Sequence, residues 1–409
     1  MIPLPFLPPE QGAEVIERSQ AYRVESARNT TPDGTTRVQK PYIRSLDTLR
    51  TIAALLVVFA HIRVPNSVTQ IGFFQNTGLA VDFFFVLSGF VIAMNYWEIS
   101  GFQSVWRYGQ SRFARIYPLH FLTLLLFLFI ELLKYFAESK WNLAPTFPAF
   151  SQNDLRAFLI NLLLLNAHGF THCLTFNGPA WSIGAEATCY VLFGVVVLAT
   201  TDCRRRIGLV LLCVVVAAIF FRKVNLATFG AIRAILGFGI GCLWWVALGS
   251  AVLRKAQGEG NGSAANSSTG VRWLCLVLAA VGTLVLVYQL AYPGIHFLSL
   301  GVIGLCALNP GNAAIRGLGR IGEGWFGQVS YGVYLWHALT IWISSRILTL
   351  ALHYPSTPRE DAAFVLCPEW VGNVTLVTTF VVTLAVAHLS FKYYENPWRK
   401  RLRPARRPQ

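Results

Sequence analysis

The chain has 409 residues, 54% of them hydrophobic and 13% charged, and its mean hydropathy is +0.50. A soluble domain carries roughly 25% charged residues, so disordered, collagen-like and nucleic-acid-binding classes are excluded. The net charge of +15 fits the build-up of Lys and Arg on the cytoplasmic side of membrane proteins. The first 44 residues are polar and broken by proline, and MIPLPFLPP is too interrupted for the apolar stretch of a cleavable signal. Apolar runs follow at about 46–64, 79–97, 116–136, 157–167, 183–200, 207–221, 226–249, 273–291, 294–308, 328–350 and 371–391. Crossing a bilayer takes roughly 20 apolar residues, and the run at 157–167, AFLINLLLLNA, is the shortest. GEGNGSAANSSTG at 258–270 reads as a flexible cytoplasmic linker. Gly237, Gly239 and Gly241 read as points where helices approach closely. The eight cysteines lack CxxC or regular spacing, so neither a disulfide framework nor a zinc site is indicated.

Charge then selects the topology. With both termini cytoplasmic and 157–167 not crossing, 24 of the 34 Lys and Arg lie inside and 8 lie at or near the outer face; Arg50 and Arg233 fall within spans. That threefold bias matches the positive-inside rule, with Arg222 and Lys223 as the exception. The expected fold is an all-α polytopic membrane protein of about ten transmembrane helices with one short re-entrant or interfacial segment. Its parts are a cytoplasmic tail at 1–44, a transmembrane domain at 45–392 and a basic cytoplasmic tail at 393–409.

Charged side chains near a helix centre in a membrane cost at least ~2.5–3.5 kcal/mol each, so they are informative. The first run carries Asp47, Arg50 and His61. Asp47 and Arg50 have the spacing of a helical pair. Arg50 and His61 stand about 16 Å apart on nearly one helix face. Asp82 and Glu186 each lie near the outward start of a span, in VDFFFVLSGFVI and WSIGAEATCYVLF. The topology puts His61, Asp82 and Glu186 in one outward layer, as a general base with orienting carboxylates or as a self-satisfied polar cluster. His337, midway through its span, reads equally as a core histidine or a site residue. Arg112 and Arg115 in RYGQSRFARIYPLH suit phosphate binding, or mark topology alone. His168 and His172 have i,i+4 metal spacing without an evident third ligand, so no metal is expected. No Walker, HExxH or GxSxG motif is present, and no internal repeat of the kind many transporters carry.

The segments LDTLRTIAALLVVFAH, FFFVLSGFVIAMNY, RFARIYPLH, GPAWSIGAEATCY, SYGVYLWH and YYENPWRK, in that order, resemble the membrane acyltransferase-3 family from about Leu46 to Trp398. These bacterial enzymes acylate surface carbohydrates and related acceptors. The family's Arg-x₁₀-His pattern falls on Arg50 and His61, and its Arg-x-x-Arg pattern on Arg112 and Arg115. Its tryptophan-to-glutamate element falls on Trp181 and Glu186, and its Tyr-Leu-x-His element on Tyr334 and His337. The resemblance implies ten spans and residence in the bacterial cytoplasmic membrane. It also implies transfer of an acyl group, acetyl foremost, from cytoplasmic acyl-CoA to a hydroxyl of a carbohydrate or lipid-linked glycan beyond the membrane. On that reading Arg50, Arg112 and Arg115 hold coenzyme A, and His61 is the base, with Glu186 and Asp82 beside it. Trp181, Tyr334 and His337 then bind substrate. The competing class is a proton-coupled transporter or flippase that uses Arg50, Asp82, Glu186 and His61 as a relay.

Overall fold

The computed structural model describes residues 40–68, 77–141, 148–171, 173–221, 229–256, 273–282, 291–359 and 362–404. The expected linker at 258–270, residues 1–39 of the N-terminal tail, Arg222, Lys223, His172 and residues 405–409 lie outside these. The described chain is almost wholly helical. Its helices are α1 (Arg44–His61), α2 (Ala80–Tyr96), α3 (Phe102–Trp141), α4 (Leu155–Leu162), α5 (Trp181–Ala199), α6 (Cys203–Phe221) and α7 (Gly230–Ala256). There follow α8 (Trp273–Gly282), α9 (Ala291–Leu308), α10 (Ala313–Ile321), α11 (Ser330–Arg346), α12 (Glu369–Ser390) and α13 (Asn396–Leu402). A short antiparallel hairpin, β1 (Ser356–Arg359) with β2 (Ala362–Val365), is the one sheet among the described residues.

Among the described residues four helices are long and apolar enough to cross a membrane by themselves, and a fifth if α9 and α10, bent by 98°, count as one span. The expected ten is a larger number because α2 and α11 have 17 residues each, α8 is shorter still, and α1 and α6 carry three charges each, Arg44, Asp47 and Arg50 in α1 and Arg204, Arg205 and Arg206 in α6. Those of α1 are not offered to lipid, since that helix packs into the bundle. α4 is eight residues, about 12 Å, which is far short of a ~30 Å hydrocarbon core. Asp154 caps it, accepting from the Ala157 amide at 2.7 Å. Tyr117 and His120, well inside α3, bond the Leu162 and Asn161 carbonyls. The apolar run at 157–167 is therefore a tucked-in segment, not a span.

The pair that positions the site is α2 on α7. Their backbones touch because both sides supply glycine. A Cβ on Gly89 would lie 2.0 Å from the Phe238 carbonyl oxygen, and one on Gly241 2.0 Å from that of Val86. Close approach at small residues is how helices associate in lipid, where apolar burial alone gives no drive. α1 packs against α11 and α10, and Thr48 and Thr51 reach across to the Leu318 and Phe326 carbonyls at 2.7 and 2.8 Å. α3 is 40 residues long with Pro118 inside it, so at about 60 Å it outreaches any bilayer core and carries its basic N-terminal half to the bundle's end.

Candidate active site

A cavity of about 460 Å³ opens among α1, α2, α3, α5 and α11, within the range of small-molecule sites. One end is basic. Arg50 lines it and donates to Asp47 at 2.8 Å, the pair their spacing calls for, while the Tyr42 hydroxyl donates to the other Asp47 oxygen. Arg112 stands between two aromatic faces, 5.3 Å from the Tyr96 ring centre and 5.9 Å from that of Tyr190. It donates to the Tyr96 hydroxyl at 3.2 Å. Arg115 lines the same cavity one helical turn on, with no hydrogen bond or ion pair among the described residues. Stacking fixes a guanidinium plane without consuming its donors, so Arg112 is held in place with donors to spare.

Glu186 faces this cavity at mid-depth. It accepts from the Ser88 hydroxyl at 2.7 Å and from the Tyr190 hydroxyl, one turn along α5, at 2.5 Å. Asp82 is elsewhere. It has no exposed surface and takes the Arg233 guanidinium with both oxygens, at 2.7 and 2.6 Å. Asp82 and Ser88 are six residues apart on α2, so Glu186 lies about 9 Å deeper than Asp82. The single outward layer of His61, Asp82 and Glu186 is thus corrected. Two intramembrane charges of opposite sign on touching helices pair with each other, and Glu186 joins the arginine end. Arg233 also lies 5.5 Å from the Trp181 ring centre. Gly230 leaves room for that ring, since a Cβ there would come within 2.2 Å of it.

His61 is placed outside the cavity lining, edge-on to His337 with ring centres 4.9 Å apart. The Nδ1 of each ring meets a backbone carbonyl, Val57 at 2.9 Å for His61 and Tyr334 at 2.5 Å for His337. A carbonyl only accepts, so Nδ1 donates and the lone pair sits on Nε2 in both. His337 is fully buried, and its Nε2 has no hydrogen-bond partner among the described residues. Tyr334 joins this layer to the cavity. It lines the cavity wall, meets the His337 ring at 5.6 Å, accepts from Ser182 at 2.8 Å and donates to the Pro179 carbonyl. Tyr334 and His337 thus adjoin, with His61 against His337, while Trp181 sits with Arg233 and Phe85.

Sequence reasoning did not single out Tyr96, Tyr190, Ser88 or Arg233 as partners of the site. The Tyr190 signal was available as the i+4 neighbour of Glu186, and the Arg233 signal as a lone positive charge in a span. His168 is engaged by the Thr188 hydroxyl at 2.9 Å. The described residues hold no group of three or more His, Cys, Asp or Glu placed for a metal, and all eight cysteines are free.

These features define a helical membrane protein with an internal cavity, basic at one end and lined towards the other by tyrosine with histidines behind it. The sequence profile of the acyltransferase domain Acyl_transf_3 matches residues 43–391, and the chain belongs to that family. It is similar to the peptidoglycan O-acetyltransferase OatA of Listeria monocytogenes, at 24% identity over 396 residues covering 90% of this chain and 57% of OatA. It is also similar to the acyltransferase MdmB of Streptomyces mycarofaciens, at 35% identity over 164 residues, 36% of this chain and 38% of MdmB. "Protein 2 in picA locus" of Rhizobium radiobacter is 33% identical over 154 residues, 34% of this chain and 75% of that protein. The chain thus spans 57% and 38% of the lengths of OatA and MdmB. No solved structure matches.

Proposed function

We propose that the chain is a ten-span O-acyltransferase of the bacterial cytoplasmic membrane, with both termini cytoplasmic. It takes an acyl group, acetyl foremost, from acyl-CoA and passes it to a hydroxyl of a carbohydrate or lipid-linked glycan at the outer side. The observation that carries this reading is the gathering of Arg50, Arg112, Arg115 and Glu186 on one cavity. Coenzyme A is anionic at its nucleotide end and uncharged along its pantetheine arm. A basic mouth would hold the phosphates, while the arm would run along the wall past Ser88 and Tyr334. The named activity of OatA, O-acetylation of peptidoglycan, supports a glycan acceptor.

In the reaction the acceptor oxygen attacks the thioester carbonyl, its proton passes to a base, and coenzyme A leaves as the thiol. His61 is that base. Its Nδ1–H is committed to Val57, which leaves Nε2 as the basic nitrogen, and His337 beside it fixes the ring. Placed bases of this kind contribute about 10²–10⁴-fold. Asp82 acts through Arg233 on Trp181, and Glu186 positions the donor among the arginines. The test is purified full-length protein in liposomes given labelled acetyl-CoA and a cell-envelope glycan extract. Label on the glycan supports the reading. Solute uptake with acetyl-CoA left intact refutes it.

A further inference from the structure

The cavity wall carries five cationic side chains, Lys40, Arg50, Arg112, Arg115 and Arg399, against two carboxylates, Asp47 and Glu186. Lys40 pairs with Glu98 at 3.5 Å and Arg50 with Asp47. Among the described residues Arg112, Arg115 and Arg399 make no ion pair within 4.0 Å, and the carboxylates nearest them are Glu186 and Glu395. A recess opening beside the cavity is lined by Arg115 and Arg399 together, with Glu395 as its carboxylate. Glu395 accepts from Ser390 at 3.1 Å, and even counting it the walls keep an excess of positive charge. The Nε atoms of Arg112 and Arg399 are both buried without a hydrogen-bond acceptor among the described residues. Like charges gathered in a low-dielectric space repel, and a buried unpaired donor costs free energy. A bound polyanion offsets both.

Arg399 comes from the far end of the sequence, and its placement is specific. The chain leaves α12 through a π-helical turn, Phe391–Glu395, into α13, which packs on α3. Tyr394 donates to the Pro118 carbonyl at 3.2 Å, tying that turn to the middle of α3. Arg399 is thereby set beside Arg115. Topology signals need no such registration.

Building on the acyl-CoA reading, we infer that Arg399 is a fourth donor-site arginine, and that the C-terminal helix closes over the nucleotide end of coenzyme A so that Arg399 bonds one of its phosphates. The donor class this selects is a thioester on a nucleotide bearing several phosphates, in preference to a phosphate-free pantetheine thioester.

Binding to the full-length protein in detergent micelles tests this by calorimetry, with coenzyme A and pantetheine as the probes. Arg399→Gln should weaken coenzyme A about tenfold or more, the loss of one charge-assisted bond, and leave pantetheine unchanged. Arg399→Lys should fall between, because a point charge replaces a fork. In wild-type protein, coenzyme A should shield Arg399 from phenylglyoxal, read by mass spectrometry, which needs no variant to fold. Affinity of the Gln variant for coenzyme A within twofold of wild type overturns the inference, as does equal weakening towards pantetheine or unshielded modification of Arg399. The two readings fail separately. Arg399-dependent binding without acyl transfer sinks only the catalytic reading, and transfer with binding indifferent to Arg399 sinks only this one.

Discussion

Replacing Asp82 with asparagine keeps its shape and removes the charge that the Arg233 guanidinium bonds with two nitrogens. Asp82 has no exposed surface, and both bonds to Arg233 are short, at 2.6 and 2.7 Å. Breaking a buried pair from one side costs about 3–5 kcal/mol, since the surviving charge stays desolvated, or roughly two to four orders of magnitude in the folding equilibrium. Arg233→Met should cost a similar amount from the other side. The double variant should lose less than the sum of the two single ones, because the bidentate pair is lost only once, and the coupling should be about 2 kcal/mol or more. The assay is unfolding of the purified protein in mixed micelles, followed by tryptophan fluorescence, run as a double-mutant cycle. Trp181, which Arg233 overlies, should change emission in both single variants before unfolding begins. Losses that add to within about 0.5 kcal/mol would refute the argument, because the pair would then contribute nothing as a pair.

Arg112→Ala and Arg115→Ala should each raise the KM for acyl-CoA with the smaller effect on kcat, and Arg→Lys at either site should rescue in part; unchanged donor affinity in the double variant leaves both as topology markers. His61→Ala should lower kcat about 10²-fold or more with donor binding intact, and His61→Gln, which cannot serve as a base, should be nearly as inactive. A His61→Gln protein retaining most of its activity would pass the role to His337. Cysteines placed at 201–206 should be unreactive to an impermeant reagent added from outside; labelling there defeats the ten-span topology.

What the sequence disclosed was chemistry counted along one helix. Asp47 with Arg50 and the shortness of the 157–167 segment both follow from local spacing and length, and both appear in the structure. GFGIG was legible for the same reason, since glycines in a span have few uses other than close packing. Depth was harder. Assigning Asp82 and Glu186 to one layer took each as lying near the start of its span, but α2 and α5 are offset so that Ser88 lies beside Glu186. Offset between helices depends on which small residues touch, such as Gly89 on Phe238, and no periodicity reports it. Arg399 was hidden for a related reason. A basic stretch after the last span reads as topology until the π-helical turn and Tyr394 bring one of its members against Arg115.

The same contacts weigh on the choice between enzyme and transporter. Alternating access in many transporters needs one group of helices to rock against another around the site. Here α2 and α7 touch backbone to backbone at two levels, and Asp82 and Arg233 tie them again, so they move only as a unit. Any rocking would have to run through the cavity itself. It would break Ser88 from Glu186 between α2 and α5, and Ser182 from Tyr334 between α5 and α11. Each of those bonds contributes about 1 kcal/mol net, and more when a charged group is one partner. Acyl transfer asks for none of that movement. On the proposed reading the phosphates would stay on the arginines while the arm carried only the thioester past Tyr334, so the contacts that oppose rocking would leave acyl transfer unhindered and work against transport.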